Sequence, residues 1–499
     1  MSAYTELSEY IAEVNDLLNT ISILNWDART QMPVGGTETR GKQLATLSAI
    51  AQERLTADRL RSLLDKAEAE VGGLPPESTE RRSVEAVREA SELFRRTPPQ
   101  LTRELANLRS VAGKTWAEAK ATNNFAHFAP DLERMFALNR EFAQSIGYAE
   151  HPYDAMLTLY EPGMTAARLQ TLFAGLRERV VPLLRAIVNS GRTPRTDFLE
   201  HHYPVELQRD FSLEVAQSFG FDLSRGRLDE SLHPFEISFT RNDVRMTTRY
   251  NPRFLPTALF GVLHEAGHGL YDQGLPADQF GLPTGTFCSL GIHESQSRLW
   301  ENQVGRGGPF WDHFFPRARQ AFACLRDVKP GDWLFAINDV RPSLIRVEAD
   351  EATYNLHIIL RFELEQALVS GDLPAGDVPG AWNEKVQSAL GLTPPDDARG
   401  CLQDIHWSFG GMGYFATYTL GNLLAAQLME ALRDDLPGLD DDARAGDFSR
   451  VKGWLNDNVH AHGQRFRAAE LCRRATGRPL GHEALVRHLR ARYAPLYGL

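Results

Sequence analysis

Ala258-Leu-Phe-Gly-Val-Leu-His264-Glu265-Ala-Gly-His268-Gly269 is the stretch on which the reading of this chain turns. Ala258, Leu259, Val262 and Leu263 recur at helical spacing, with Pro252 and Pro256 near the start of the run. On a helix, residues four apart differ in direction by about 40° and rise about 6 Å. His264 and His268 therefore project from one face and can share a metal ion. Glu265 sits about 100° further round, able to reach a water on that ion without being a ligand.

Catalytic zinc needs three protein ligands and an open position, and two His with one Glu is a standard set. The next carboxylate on a helical segment is Glu294, in Gly291-Ile-His-Glu-Ser-Gln-Ser-Arg-Leu-Trp-Glu301. A second helix, reached through the Pro/Gly-rich loop 274–285 and packed antiparallel to the first, brings Glu294 to the imidazoles. Asp272 and Asp278 lie in or beside that loop and rank below it. Arg298, four residues past Glu294, either steadies its carboxylate or makes a surface salt bridge. His293 cannot share the helical face of Glu294. It is a group behind the ligands, a substrate-facing group or a structural one.

Working outward, helical periodicity dominates. Ile11, Val14, Leu17, Leu18, Ile21 and Leu24 form one apolar stripe, Leu55 to Val71 a second, Val84 to Phe94 a third. Strand signals are sparse, and the best, Phe235–Thr240 and Val244–Tyr250, predict a small hairpin leading directly into a helix that starts near Pro256. No linker, charge block or repeat divides the chain. The expected fold is mainly α: one unit spanning 1–499, at most bilobed, with a small β element beside the metal-binding helix.

Composition narrows the function classes. The chain has 499 residues, 42% hydrophobic and 24% charged, with 54 Lys+Arg against 65 Asp+Glu and a formal net charge of −11. That balance argues against nucleic acid or an anionic membrane as partner. Cys288, Cys324, Cys401 and Cys472 are widely spaced, which argues against a disulfide framework or a thiolate metal site. The polar, acidic start lacks a signal-peptide core, and no apolar run approaches the roughly 18 residues a membrane span needs. The expectation is a cytoplasmic protein.

Further motifs extend the pattern: His233-Pro-Phe235, Asp243-x-Arg245-x-Thr247, Ile345-Arg346-x-x-Ala349-Asp350 and Gly400-x-x-Gln403-Asp404-x-His406-Trp407, with Trp26-Asp27-x-x-Thr30-x-Met32-Pro33 and Tyr160-Glu-Pro-Gly-Met164 nearer the N-terminus. Together with HExxH and His293-Glu-Ser-Gln296, in this order, they resemble the thermostable carboxypeptidase (carboxypeptidase Taq) family of metallocarboxypeptidases. The resemblance runs over nearly the whole chain. It implies a helical gluzincin-type fold with a deep central groove flanked by N-terminal helices, usually a homodimer, and removal of single C-terminal residues from peptides with broad side-chain tolerance.

The resemblance makes His264, His268 and Glu294 the metal ligands and Glu265 the general base. Zn²⁺ is the default ion, with Co²⁺ or another divalent ion as alternatives. His406 and either Tyr414 or Tyr418 become donors to the developing oxyanion; otherwise His406 is a core histidine bonded to Asp404. Arg346, then Arg245, are the candidates for holding the substrate's terminal carboxylate, with His233 and His293 also on the substrate side. Without the family, Asp350 reads as the i,i+4 ion-pair partner of Arg346. Glycines 410–413 lack a P-loop ending and read as a flexible or tightly packed turn. The competing functions are an endo-oligopeptidase or dipeptidyl carboxypeptidase and, from another class, an inactive metal-bound scaffold. The latter is opposed by the presence of Glu265.

Overall fold

The computed structural model describes residues 1–499, in twenty α-helices and one three-stranded sheet. Contacts divide the chain into two compact units, each assembled from separated segments. The mainly helical expectation holds.

The first unit comprises Met1–Arg95, Pro194–Ile337 and Leu428–Pro479. Its opening helix, Ala3–Thr30, buries Leu7, Tyr10, Ile11 and Val14 against Leu60, Leu63, Leu64, Ala67 and Val71 of the helix Asp58–Val71, and against Val84 and Val87. The predicted stripe fades beyond Val14, and Leu18 is 42% exposed. There the helix runs beside Thr37–Thr56, which itself buries only Ala51, and Trp26 near its end is buried again.

Strands β1 (Gly226–Glu230), β2 (Glu236–Thr240) and β3 (Asp243–Thr248) form a sheet of order β1-β3-β2. The antiparallel β2–β3 pair is the expected hairpin. β1, parallel to β3, was hidden in the sequence because Gly-Arg-Leu-Asp-Glu buries only Leu228 and shows no alternation. Val244 and Met246 of β3 are fully buried, and the sheet packs on the helix Leu255–Gly274, which carries HExxH. Short 3₁₀ turns follow. Ser289 then caps the helix Leu290–Arg298, its hydroxyl accepting from the Ile292 N–H.

The second unit comprises Arg96–Thr193, Asn338–Gln427 and Leu480–Leu499. Its helix Glu351–Ser370 is buried nearly all round, although Thr353, Asn355, His357, Arg361 and Glu365 are among the buried residues. Asp350 caps it, accepting from the N–H groups of Ala352 and Thr353. Phe362 meets Tyr153 and Phe173 edge-on, at centroid distances of 5.6 and 5.0 Å. Arg361 and Glu365 point into this interior and are fully buried. No helix of the chain is long and apolar enough to cross a membrane.

Candidate metal centre

Two helices bring the first cluster together. His264 and His268 face the same side of Leu255–Gly274, their ring centroids 4.9 Å apart. Glu294 Oε2 lies 3.6 Å from His264 Nε2 and 3.4 Å from His268 Nε2. The helices can cross this closely because residue 267 is glycine: a Cβ there would stand 2.6 Å from the carbonyl oxygen of Gln296 and the Cα of Ser297.

Two side chains hold the carboxylate of Glu294. Arg298 Nε donates to Oε1 at 2.7 Å and Ser297 Oγ to Oε2 at 3.0 Å, so Arg298 is a partly buried partner rather than a surface one. Burial opposes ionisation of Glu294, but Arg298 and His264 outweigh it and hold the group below the ordinary range. Past Arg298 the helix loosens into a π-helical segment, Leu299–Val304. It carries Glu301, whose Oε2 accepts from Arg298 Nη1 at 3.1 Å and lies 2.9 Å from His264 Nδ1. His264 thus meets Glu294 on one ring nitrogen and Glu301 on the other. Burial lowers the pKa of His264, yet these two carboxylates raise it overall.

Glu265 is buried beside this set. Burial pushes its pKa up to about 7 against the pull of His264, with Glu294 and Glu301 adding to the rise. A cation bound next to it would lower it again.

Asp272 forms part of a second cluster. It lies in the last turn of Leu255–Gly274, four residues after His268 and just before the loop. Its carboxylate accepts from Ser238 Oγ at 2.5 Å and lies 3.3 Å from His293 Nε2; Glu236 completes the group. His293 stacks on His268 at 4.5 Å, with the two Nδ1 atoms 2.6 Å apart.

The second unit holds a different arrangement. Asp404 stands between two arginines: Arg346 Nε and Nη2 donate to Oδ1 at 3.0 and 2.8 Å, and Arg361 Nε donates to Oδ2 at 2.7 Å. Arg346 Nη1 also donates to Tyr354 Oη at 2.9 Å. Burial opposes the charge on Asp404, but the two guanidiniums hold its carboxyl well below the usual range. The i,i+4 pairing of Arg346 with Asp350 does not form. Arg346 lies in a 3₁₀ turn, and Asp350 is spent on the cap of the next helix.

His406 Nδ1 is 4.0 Å from Asp404, too far for a hydrogen bond, because both oxygens of Asp404 are taken by arginines. Burial first, then Arg346 and Arg361, push the His406 imidazole down to about 3 despite Asp404. Its Nε2 lies 3.4 Å from Tyr418 Oη, and Tyr414 packs against the same ring at 5.5 Å. Glu365 accepts from Tyr153 Oη, Trp407 Nε1 and the Gly413 N–H, which fastens the 410–413 turn. That turn is tightly packed: Gly413 has φ +86°, and a Cβ there would meet the Met156 backbone at 2.9 Å.

The family model for the Carboxypeptidase Taq (M32) metallopeptidases matches residues 6–493. The chain belongs to this family. It is 45% identical to thermostable carboxypeptidase 1 of Thermus thermophilus, over all of this chain and 99% of that protein. It is 39% identical to carboxypeptidase 1 of Bacillus subtilis, over 99% of each. The crystal structure of the M32 carboxypeptidase from Deinococcus radiodurans R1 covers both chains fully, at 39% identity and a TM-score of 0.97. The protein is therefore a metallocarboxypeptidase, a hydrolase of peptide bonds, and the family implies a divalent metal ion.

The residues of this M32 carboxypeptidase fit such an ion. Ligand bonds of about 2.0–2.1 Å in a tetrahedron place ligand atoms about 3.3 Å apart. The 3.4 and 3.6 Å separations at Glu294 approach that edge, and all three ligand atoms lie within 4.8 Å of one another.

Other residues singled out in the sequence are placed differently. His233 stands exposed between β1 and β2, and its carbonyl accepts from Ser231 Oγ. Arg245 makes a bidentate pair with Asp243 and lies over Trp26 at 4.3 Å and Phe239 at 4.8 Å. Glu301 and Arg361 were missed. Glu301 follows Glu294 by seven residues, two helical turns, and that spacing was the available signal. Arg361 looked like one more polar residue in a helix, and nothing local marks it as the second partner of Asp404.

Proposed function

We propose that the chain is a Zn²⁺-dependent carboxypeptidase that releases single C-terminal residues from peptides with broad side-chain tolerance. His264, His268 and Glu294 hold the ion and Glu265 acts as general base. The observation that carries this reading is the three-ligand set with a buried carboxylate, Glu265, one residue from a ligand. His264, His268 and Glu294 would hold a divalent ion that would lower the pKa of a water and polarise the scissile carbonyl. Glu265 takes the water's proton and hands it to the leaving amine. Glu301 and Arg298 keep His264 and Glu294 oriented throughout.

Exclusive cutting from the end requires a cation for the substrate's α-carboxylate. We assign it to Arg346, ahead of Arg245. Charge balance supports the order. Arg245 is neutralised one-to-one by Asp243, whereas Asp404 is shared between Arg346 and Arg361, leaving one buried positive charge that an anion would compensate. Neutral His406, with Tyr418 or Tyr414, is the donor to the developing oxyanion. His233 remains a substrate-side proposal, on an exposed loop. The reading includes a single functional domain over 1–499, a cytoplasmic homodimer and Co²⁺ as an alternative ion. Light scattering that gave the 55.9 kDa monomer over a wide concentration range would refute the dimer.

The deciding experiment is mass spectrometry of an unbiased peptide mixture after digestion. The expected product is a ladder losing one C-terminal residue at a time, abolished by a chelator and restored by Zn²⁺ or Co²⁺. Internal cuts or release of dipeptides would overturn the reading in favour of an oligopeptidase or dipeptidyl carboxypeptidase.

A further inference from the structure

Glu236, Asp272 and His293 look like a second metal site: their ligand atoms lie within 4.8 Å of one another, in the protein interior. Counting protons on two rings leads elsewhere. A neutral imidazole carries one N–H, and a nitrogen that binds a metal must be bare. If His268 offers Nε2 beside Glu294, as the proposed function requires, its proton sits on Nδ1. The 2.6 Å Nδ1–Nδ1 contact has room for one proton only, so His293 Nδ1 accepts it. The proton of His293 is then on Nε2, facing Asp272 Oδ1 at 3.3 Å. That nitrogen cannot bind an ion.

The converse also holds. An ion on His293 Nε2 would put that ring's proton on Nδ1, pointing at His268 Nδ1. His268 would have to move its own proton to Nε2 and surrender the first site. The two sites exclude each other for neutral rings. We propose that His293 is a positioning residue: it accepts the Nδ1–H of His268, anchors to Asp272, and makes Glu236–Asp272–His293 the support of the metal ligand instead of a second metal site.

This pathway explains an asymmetry between the two histidine ligands. His264 Nδ1 meets a carboxylate directly, at Glu301, whereas His268 reaches its carboxylate through an interposed imidazole. The ring of His293 is itself fixed, stacked on His268 and edged by Phe287 at 4.7 Å, while Ser238 fixes Asp272. Removing an outer hydrogen-bond partner of a metal-bound His typically weakens binding by about 10- to 100-fold.

The test measures Zn²⁺ affinity of the full chain by chelator competition, metal-to-protein ratio at saturation, and the visible spectrum of the Co²⁺ form. His293→Phe keeps a ring in the stack but removes the acceptor, and should bind Zn²⁺ about 10- to 100-fold more weakly with a shifted Co²⁺ spectrum. His293→Asn restores an acceptor and a donor and should recover most of the loss, which a purely space-filling role would not do. Saturation should give one ion per chain. Unchanged affinity in His293→Phe, equal loss in both variants, or a second ion lost on Asp272→Asn would overturn the proposal. Should His293→Phe fail to fold, Asp272→Asn decides: severalfold weaker binding of the single ion supports the proposal, and no change overturns it. The inference rests on His268 being a ligand, so His264→Phe and Glu294→Ala are run in parallel. If those variants bind Zn²⁺ normally, the ligand assignment has failed, a result distinct from failure at His293 alone.

Discussion

His264 and His406 are both largely enclosed imidazoles, and burial alone would lower the pKa of each. The first is raised and the second is pushed down to about 3. The difference lies in the neighbours. His264 sits between Glu294 and Glu301, in a site that favours positive charge. His406 sits near Arg346 and Arg361, which share one carboxylate, in a site that disfavours it. The surroundings of His264 thus suit positive charge and those of His406 suit negative charge. Electrostatic preparation is visible here before any ligand enters.

Four changes probe that contrast. The largest effect is expected for Glu265→Gln, which leaves the cation site intact but removes the base. Turnover should fall by about two to four orders of magnitude while bound metal, measured by elemental analysis, stays at wild-type level. Loss of metal together with activity would make Glu265 a ligand.

Asp404→Asn attacks the other pole, leaving two guanidiniums buried without a counter-charge. Stability in denaturant titrations at neutral pH should drop by about 3–5 kcal/mol. The sign with pH follows from the lowered pKa of Asp404. Its contribution is present above the unfolded value of about 3.9 and is lost as pH falls below that. The gap between wild type and variant should therefore close on acidification below about pH 4. A gap that widened there would contradict the assignment.

Arg346→Ala, assayed on acid and amide forms of one peptide, comes next. In wild type, amidation should cost roughly 2–5 kcal/mol in kcat/KM, about 30- to several-thousand-fold, and Arg346→Ala a similar amount on the acid. The two losses should not add, since each removes the same contact. If amidation penalises the variant as severely as wild type, Arg245 becomes the anchor to test.

The smallest effect is expected for Glu301→Gln. It loosens His264 without removing a ligand, so Zn²⁺ should bind about 10- to 100-fold more weakly, with kcat of the metal-saturated enzyme little changed. Affinity equal to wild type would show that Glu301 does not orient the ring.

What the sequence made legible follows from the range of the interactions. HExxH and the helix around it are set by local periodicity, so His264, His268 and Glu265 could be read directly. Glu294 was reachable by ligand chemistry and loop length, and the β2–β3 hairpin by alternation. The partner of Arg346 was misjudged because Asp404 is 58 residues away, while Asp350, four residues away, is held by the N-terminus of the next helix. The same limit hid Arg361 and the route from His268 through His293 to Asp272 and Glu236. Gly267 was legible as part of the motif but not as a necessity, because only the backbone of Gln296 and Ser297 in the crossing helix makes it one.

The most direct test of the central claim is an anomalous difference map from crystals grown with Zn²⁺, recorded on both sides of the zinc absorption edge. The account predicts one peak per chain, about 2.0–2.2 Å from His264 Nε2, His268 Nε2 and a carboxylate oxygen of Glu294. A peak among Glu236, Asp272 and His293, or one that leaves Glu294 uncoordinated, would contradict it.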